Sequence, residues 1–358
     1  MKKNILFKIL ILFIPCWFLF SNLQAENPPP DSLKKTFGLF DKDDIINISL
    51  KFDLSTYFRA KPQKEYLKAV ITFNPGTPDS ASGNIRLRTR GVFRNQYCMF
   101  APIELNFKKA DFGYSDLNKI SKIKLVPQCS SGKDKEDWIL REYLAYKLFN
   151  VLTDTSFRVR LVKVSYIDSE TKKKPAKPVV QYAFFIEPAI MLTARTNTIE
   201  LTTKNLTQKF VIPQIMDRLA IFNFMIGNYD WSVPGPHNVL ITKSKDINLS
   251  GLAIVTPHDF DWSGMVNPTY AIPAENIGTE NVRERLFWGI CRTKDVYSKE
   301  LDGFLEKKGQ FYKVINDCPY IAQKVKKDIT DYLNGFFDQL GGKKDLILYN
   351  FTNTCTSF

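Results

Sequence analysis

Ile46-Asn47-Ile48-Ser49-Leu50-Lys51-Phe52-Asp53-Leu54 puts an apolar side chain at every second position. A period of two is the mark of a strand with one buried face. Outward from it, Tyr66–Phe73, Asn84–Phe93, Ile103–Lys108 and Lys122–Val126 read as further strands. Turn formers such as Asn74-Pro75-Gly76-Thr77-Pro78-Asp79 separate them, as a meander requires. The pattern then changes period. Ile139, Leu140, Tyr143, Leu144, Tyr146, Leu148 and Phe149 predict a helix over Glu136–Val151 with a broad buried face. Strands Phe157–Asp168 and Val179–Glu187 follow, joined by a Lys- and Pro-rich tip at 172–178. Beyond residue 210, Ile215, Met216, Leu219, Phe222 and Ile226 have helical spacing, and helices are again expected from Asn281 onward. Two short strands, Val239–Thr242 and Leu252–Thr256, lie between. The expected class is α+β: a β-rich part with one helix over 26–190, a mainly helical part over 191–358, and a cleft between them.

The 358 residues are 44% hydrophobic and 24% charged, which excludes a disordered tail protein, and 17 Gly with 19 Pro exclude a collagen-like chain. Lys and Arg number 50 against 37 acids, for a net charge of +13. The basic residues are scattered, with no aromatic-interleaved basic strand, so a general attraction to anionic envelope polymers is expected and nucleic acid is the weaker partner.

Residues 1–25, MKKNILFKILILFIPCWFLFSNLQA, have a basic start, an apolar run over Ile9–Phe20 and a small-residue end at Ala25. That layout predicts a secretory signal peptide, with an uncleaved anchor as the alternative and no membrane span in the mature chain. Pro15 before Cys16 argues against a lipoprotein cysteine. Loss of Lys2, Lys3 and Lys8 with no acid lowers the charge from +13 to +10, leaving a basic exported protein, periplasmic or at the cell surface. In an oxidising compartment Cys98 with Cys129 and Cys291 with Cys318 are the expected bridges, leaving Cys355 over. No CxxC occurs, so cysteine reads as structural.

The densest run of chemistry is 227–264, GNYDWSVPGPHNVLITKSKDINLSGLAIVTPHDFDWSG, which holds both histidines of the chain. Asp230 lies in a turn-rich loop after a helix, and His237-Asn238 leads into the first short strand. The second strand ends at His258-Asp259-Phe260-Asp261. Antiparallel pairing of the two would bring Asn238 beside Asp259, and the gathered oxygens would suit magnesium or manganese. Arg86, Arg88 and Arg90 share one face of a strand at period two, a concentration of charge that calls for an anion or carboxylates.

This order of loop Asp, Asn before a strand and Asp-Phe after the next resembles the spore coat protein H (CotH-type) atypical kinases. Arg86–Gly91 (RLRTRG) and Leu140–Phe149 (LREYLAYKLF) resemble that family's small-lobe strand and the helix bearing its bridging carboxylate. The resemblance implies a protein-kinase-like two-lobe fold and transfer of phosphate from ATP, with Mg2+ or Mn2+, to a protein, glycan or small-molecule acceptor. Residue by residue it implies Asp230 as catalytic acid, and Asn238, Asp259 and Asp261 as metal ligands. Glu142 would be the bridging carboxylate, and Arg88, Arg90 or Lys108 the phosphate-binding cations. His237 and His258 would orient their neighbours. The chain departs from ordinary kinases in spacing Asp230 and Asn238 eight apart rather than five, and in lacking a GxGxxG loop. Two other readings are open: a non-catalytic envelope or surface binding module on the same fold, and a metal-dependent hydrolase using His237, His258, Asp259 and Asp261.

Overall fold

The computed structural model describes residues 35–170, 177–249, 251–273, 275–342 and 344–357; the leader expected over 1–25 and most of the tip at 172–178 lie outside them. Strand β1 (Ile46–Phe52) keeps the alternation of its sequence, and Asp53 then stops it. The Asp53 carboxylate caps a short helix, α1 (Leu54–Ala60), by accepting from the Thr56 amide. Strands β2 (Leu67–Phe73), β3 (Ala81–Thr89), β4 (Ile103–Asn106) and β5 (Lys122–Pro127) continue as an antiparallel meander. A five-residue helix, α2 (Phe93–Tyr97), interrupts the connection from β3 to β4.

Strands β6 (Val159–Asp168) and β7 (Val179–Ile186) complete the sheet. β7 pairs with β5, β6 pairs with β7, and β6 runs parallel to β1, which closes a seven-stranded barrel in the order β1-β2-β3-β4-β5-β7-β6. Ile48, Leu50, Phe52, Ile71, Phe73, Leu87, Ile103, Leu105, Val164, Tyr166 and Phe185 fill its interior.

Helix α3 (Lys133–Leu152) lies on the outer side of the barrel. Its Leu140, Leu144, Leu148 and Phe149 join Leu161, Phe184 and Ile186 of β6 and β7 in a second core. Burial on both faces explains why β6 and β7 are richer in apolar residues than β1. The same core takes in α5 (Pro213–Ile226), α6 (Lys294–Glu306), α7 (Lys308–Asp317), α8 (Gln323–Gly342) and α9 (Lys344–Thr354), with α4 (Ala189–Arg195) adding Leu192. A three-stranded sheet in the order β10 (Ile254–Pro257), β9 (Val239–Ser244), β8 (Thr198–Glu200) completes the fold.

The two-lobe kinase-like fold implied by the resemblance is therefore corrected. The β-rich part is a closed barrel rather than a small lobe, and Lys35–Phe358 form one compact unit. The difference comes from β1, whose second edge finds β6 instead of solvent. Closure leaves no sheet edge to protect.

One cysteine pairing is corrected as well. Cys98–Cys129 is a disulfide, as expected, but Cys291 bonds Cys355, and Cys318 is a buried free thiol. The bridge between Ile290 and Thr356 lays the end of the chain beside Cys291, with the Cys291 amide donating to the Thr356 carbonyl at 3.0 Å. Among the described residues no helix is long and apolar enough to cross a membrane.

Candidate functional site

Two helix-borne features set the stage. α5 ends at Gly227, whose φ of +66° is left-handed, and a Cβ there would run into Tyr332 Oη. Across that close approach, the amides of Gly264 and Met265 donate to the carbonyls of Gly227 and Ile226 at 2.9 and 3.0 Å. The segment after Asp261 is thereby held against the segment before Asp230.

The eight-residue interval from Asp230 to Asn238 closes on itself. Ser232 and His237 exchange backbone hydrogen bonds at 3.0 Å, so Pro234, Gly235 and Pro236 are looped out. As a result Asn238 Nδ2 donates to both the carbonyl and Oδ2 of Asp230 at 2.9 Å, while His237 Nε2 lies 2.9 Å from Oδ1. Burial raises the Asp230 carboxyl above its ordinary value, with His237 opposing.

β9 and β10 pair in antiparallel register, with Val239 opposite Pro257. Next to that pair the His258 amide donates to the Asn238 carbonyl at 2.9 Å. Asn238 and Asp259 are both left-handed, with φ of +52° and +64°. Non-glycine residues in that region are held there by their surroundings. Asp259 is held by Tyr146 of α3, whose Oη accepts from its amide at 2.8 Å. Glu142 precedes Tyr146 by one helical turn and faces the same way. One carboxylate oxygen each from Glu142, Asp259 and Asp261 then lies within 4.8 Å of the others.

Three converging carboxylates repel, and their protonation records it. Burial pushes Glu142 up to about 8 despite Arg94, whose Nη1 donates to Glu142 Oε2 at 2.9 Å. Burial, then the Asp259 charge, pushes Asp261 up to about 7, while Tyr270 Oη donates to its Oδ2 at 2.8 Å. Burial would raise Asp259 too, but Arg90, Arg94 and Lys124 outweigh it and hold that carboxyl below the usual range. Glu142 is 1% exposed, and its Oε1 is buried with no hydrogen-bond partner. A buried, unpartnered carboxyl oxygen on a residue grouped with two further carboxyls suits a hard divalent cation, which would displace the proton.

Two clefts open on residues adjacent in sequence to this centre, and none of the three carboxylates lines either. One of about 400 Å³ is lined by Lys122, Lys124, Phe157, Ile190, Val239, Leu240 and His258, together with Glu104, Glu187 and Glu200. Its His258 is pushed down to about 3 by burial and by Lys124, so the ring is neutral. The other, of about 350 Å³, opens beside Asp230 and His237 and is walled by Tyr229, Trp231, Trp262 and Trp288. The two histidines thus face different clefts, and neither belongs to the carboxylate cluster.

The arginine row divides. Arg88 gives Nε and Nη2 to Glu104 Oε1 at 3.0 Å and lies over the Tyr66 ring with Arg86, on the outside of the barrel. Arg90, just past the end of β3, is the member whose charge acts on Asp259. Lys108 is exposed in the turn after β4, beyond the end of the ladder that pairs with Arg86. The end of that ladder at Asn106 is already about 13 Å along the strand from the level of Arg90.

Two cations beside the carboxylates escaped the sequence reading. Lys124 of β5 shares its cleft with His258, and burial and Arg90 lower its ammonium. Arg94 of α2 is 8% exposed and reaches Glu142. The sequence signal available was KIK before an apolar pair for Lys124; for Arg94 there was only an arginine after an aromatic.

No family model matches the sequence, and no curated protein matches it. Among solved structures, the chain is similar to a kinase, the proinflammatory kinase CtkA of Helicobacter pylori, at 11% identity and a TM-score of 0.36. The match covers 69% of this chain and 95% of that one.

Proposed function

We propose that the protein is an exported metal-dependent phosphotransferase that moves a phosphoryl group from a nucleotide to a hydroxyl acceptor. The observation that carries this reading is the convergence of Glu142, Asp259 and Asp261, with Glu142 Oε1 buried and unpartnered. Glu142, Asp259 and Asp261 would hold Mg2+ or Mn2+. A divalent ion there would neutralise charge on the transferred phosphoryl group.

The chain's own residues do the rest. Lys124 and Arg90 put positive charge where a polyphosphate would enter. Phe157, Ile190, Val239 and Leu240 give the same cleft apolar walls for a base. On the other side, the aromatic cleft seats the acceptor, whose hydroxyl would lie against the Asp230 carboxylate. Asp230 takes the hydroxyl proton as the acceptor oxygen bonds to phosphorus and the nucleoside diphosphate leaves. His237 and Asn238 hold that carboxylate in place. The two disulfides are those of a chain that matures outside the cytosol, in line with residues 1–25 as a leader.

The test is ADP release and intact mass after incubation with ATP and Mn2+, with Asp230→Asn and Asp259→Asn in parallel. Asp230→Asn is expected to keep Mn2+ binding and lose roughly 10²–10⁴-fold in turnover; Asp259→Asn is expected to lose both. Absence of Mn2+-dependent nucleotide binding by the wild type would sink the reading and leave a binding module.

A further inference from the structure

We propose that Arg94 is a built-in counter-ion that restricts the carboxylate centre to a single divalent ion. The inference rests on the metal site of the proposed function and adds its stoichiometry.

Arg94 enters the centre from α2, a separate element, and is fixed there from several sides. Nη1 donates to Glu142 Oε2 and Nη2 to the Pro127 carbonyl, both at 2.9 Å. On one side of it the Phe93 ring packs against Trp262 and Tyr270, with centroids 5.2 and 5.3 Å apart. On the other, Cys98 caps α2 and is bonded to Cys129, and Lys61 Nζ donates to the Cys98 carbonyl at 2.8 Å. A guanidinium keeps its charge at any pH a protein meets. The centre therefore contains a permanent monovalent cation in direct contact with one of its three carboxylates.

Counting oxygens turns that charge into a number of ions. Two-ion centres hold their metals about 3.5–4 Å apart by sharing carboxylates that use both oxygens. Here Glu142 Oε2 is occupied by Arg94 and Asp261 Oδ2 by Tyr270. Each of those two oxygens already accepts a hydrogen bond, and one carboxyl oxygen from each of Glu142, Asp259 and Asp261 lies within 4.8 Å of the others. Three such oxygens would suit one ion and leave it room for phosphate and water. Arg94 occupies what a second ion would need, both in charge and in its hold on Oε2.

The experiment is Mn2+ titration of the whole protein read by native mass spectrometry, with the Mn2+ spectrum recorded by electron paramagnetic resonance. Wild type is expected to take one Mn2+ at the centre and give the signal of an isolated ion. Arg94→Ala is expected to take two, with the coupled signal of a close pair, while Arg94→Lys stays at one. A coupled pair in the wild type, or a single ion in a folded Arg94→Ala, overturns the inference. If Arg94→Ala does not fold, the wild-type signal decides alone. A wild type that binds no Mn2+ fails earlier, at the metal site itself, and is told apart by that.

Discussion

Asp261 is pushed to about 7 and Glu142 to about 8, so near neutrality the metal-free centre keeps protons that a divalent ion must displace. Mn2+ binding at pH 7 is thus expected to release protons and to tighten as pH rises from 6 to 8; calorimetry in buffers of different ionisation enthalpy measures both. The sign for stability is opposite. A carboxyl raised on folding binds more protons in the native state, so the metal-free protein loses stability as pH climbs from about 4.5 towards 8. Asp259→Asn removes a carboxylate that Arg90 and Arg94 hold below its ordinary value. It should lower the melting temperature of the metal-free protein at neutral pH and weaken Mn2+ by more than about a hundredfold, since even residues one step out from the metal cost 10–100-fold. The approach of Asn238 to Asp259 was legible in the two short apolar strands that carry them, which pair antiparallel with Val239 opposite Pro257. Arg94 was not, because its partner is Glu142, 48 residues on, and nothing local announces it. Lys124 was not either, because it and Lys108 both lie in alternating stretches, and only the register of β4 with β5, Glu104 opposite Lys124, distinguishes them.

At the scale of elements, most strands and the long helix were readable within a few residues, since each carries its own period. Helix α3 runs Lys133–Leu152 where Glu136–Val151 was expected. The elements that were missed, α1, α2, α4 and β8, are short, with seven residues or fewer each. Segments of that length do not complete enough periods to be recognised. Gly227 shows what one element boundary does for the site. Gly227→Ala places a side chain in a left-handed position and against Tyr332, and should cost more than about 2 kcal/mol by thermal or urea unfolding. It should also reduce turnover, because the segment beyond Asp261 docks on that end of α5. The disulfide at Cys98 secures the connection that bears Arg94. Replacing Cys98 and Cys129 together by Ser should cost about 2–4 kcal/mol in the same unfolding measurement.

Over the whole molecule, the sequence could state that β1 has one buried face but not what lies along its edges. Its pairing with β6 runs Ile46 opposite Val162 to Phe52 opposite Asp168, a partnership across more than a hundred residues that no local pattern encodes. That one ladder separates a closed barrel from an open lobe. Inside it, Phe185 is fully buried among Phe73 and its neighbours. Phe185→Ala should lower stability by about 3–5 kcal/mol in urea unfolding and leave the number of bound Mn2+ ions unchanged, because the barrel interior and the metal centre belong to different cores. The closing ladder also sets an order of events in synthesis. β1 emerges first, yet its outer edge stays open until β6 has been made, and β6 is itself flanked only once residue 186 is out. Throughout that interval a newly made chain carries an unsatisfied, half-apolar strand near its front. A helper that shields extended segments of new chains would find a client stretch at residues 46–52.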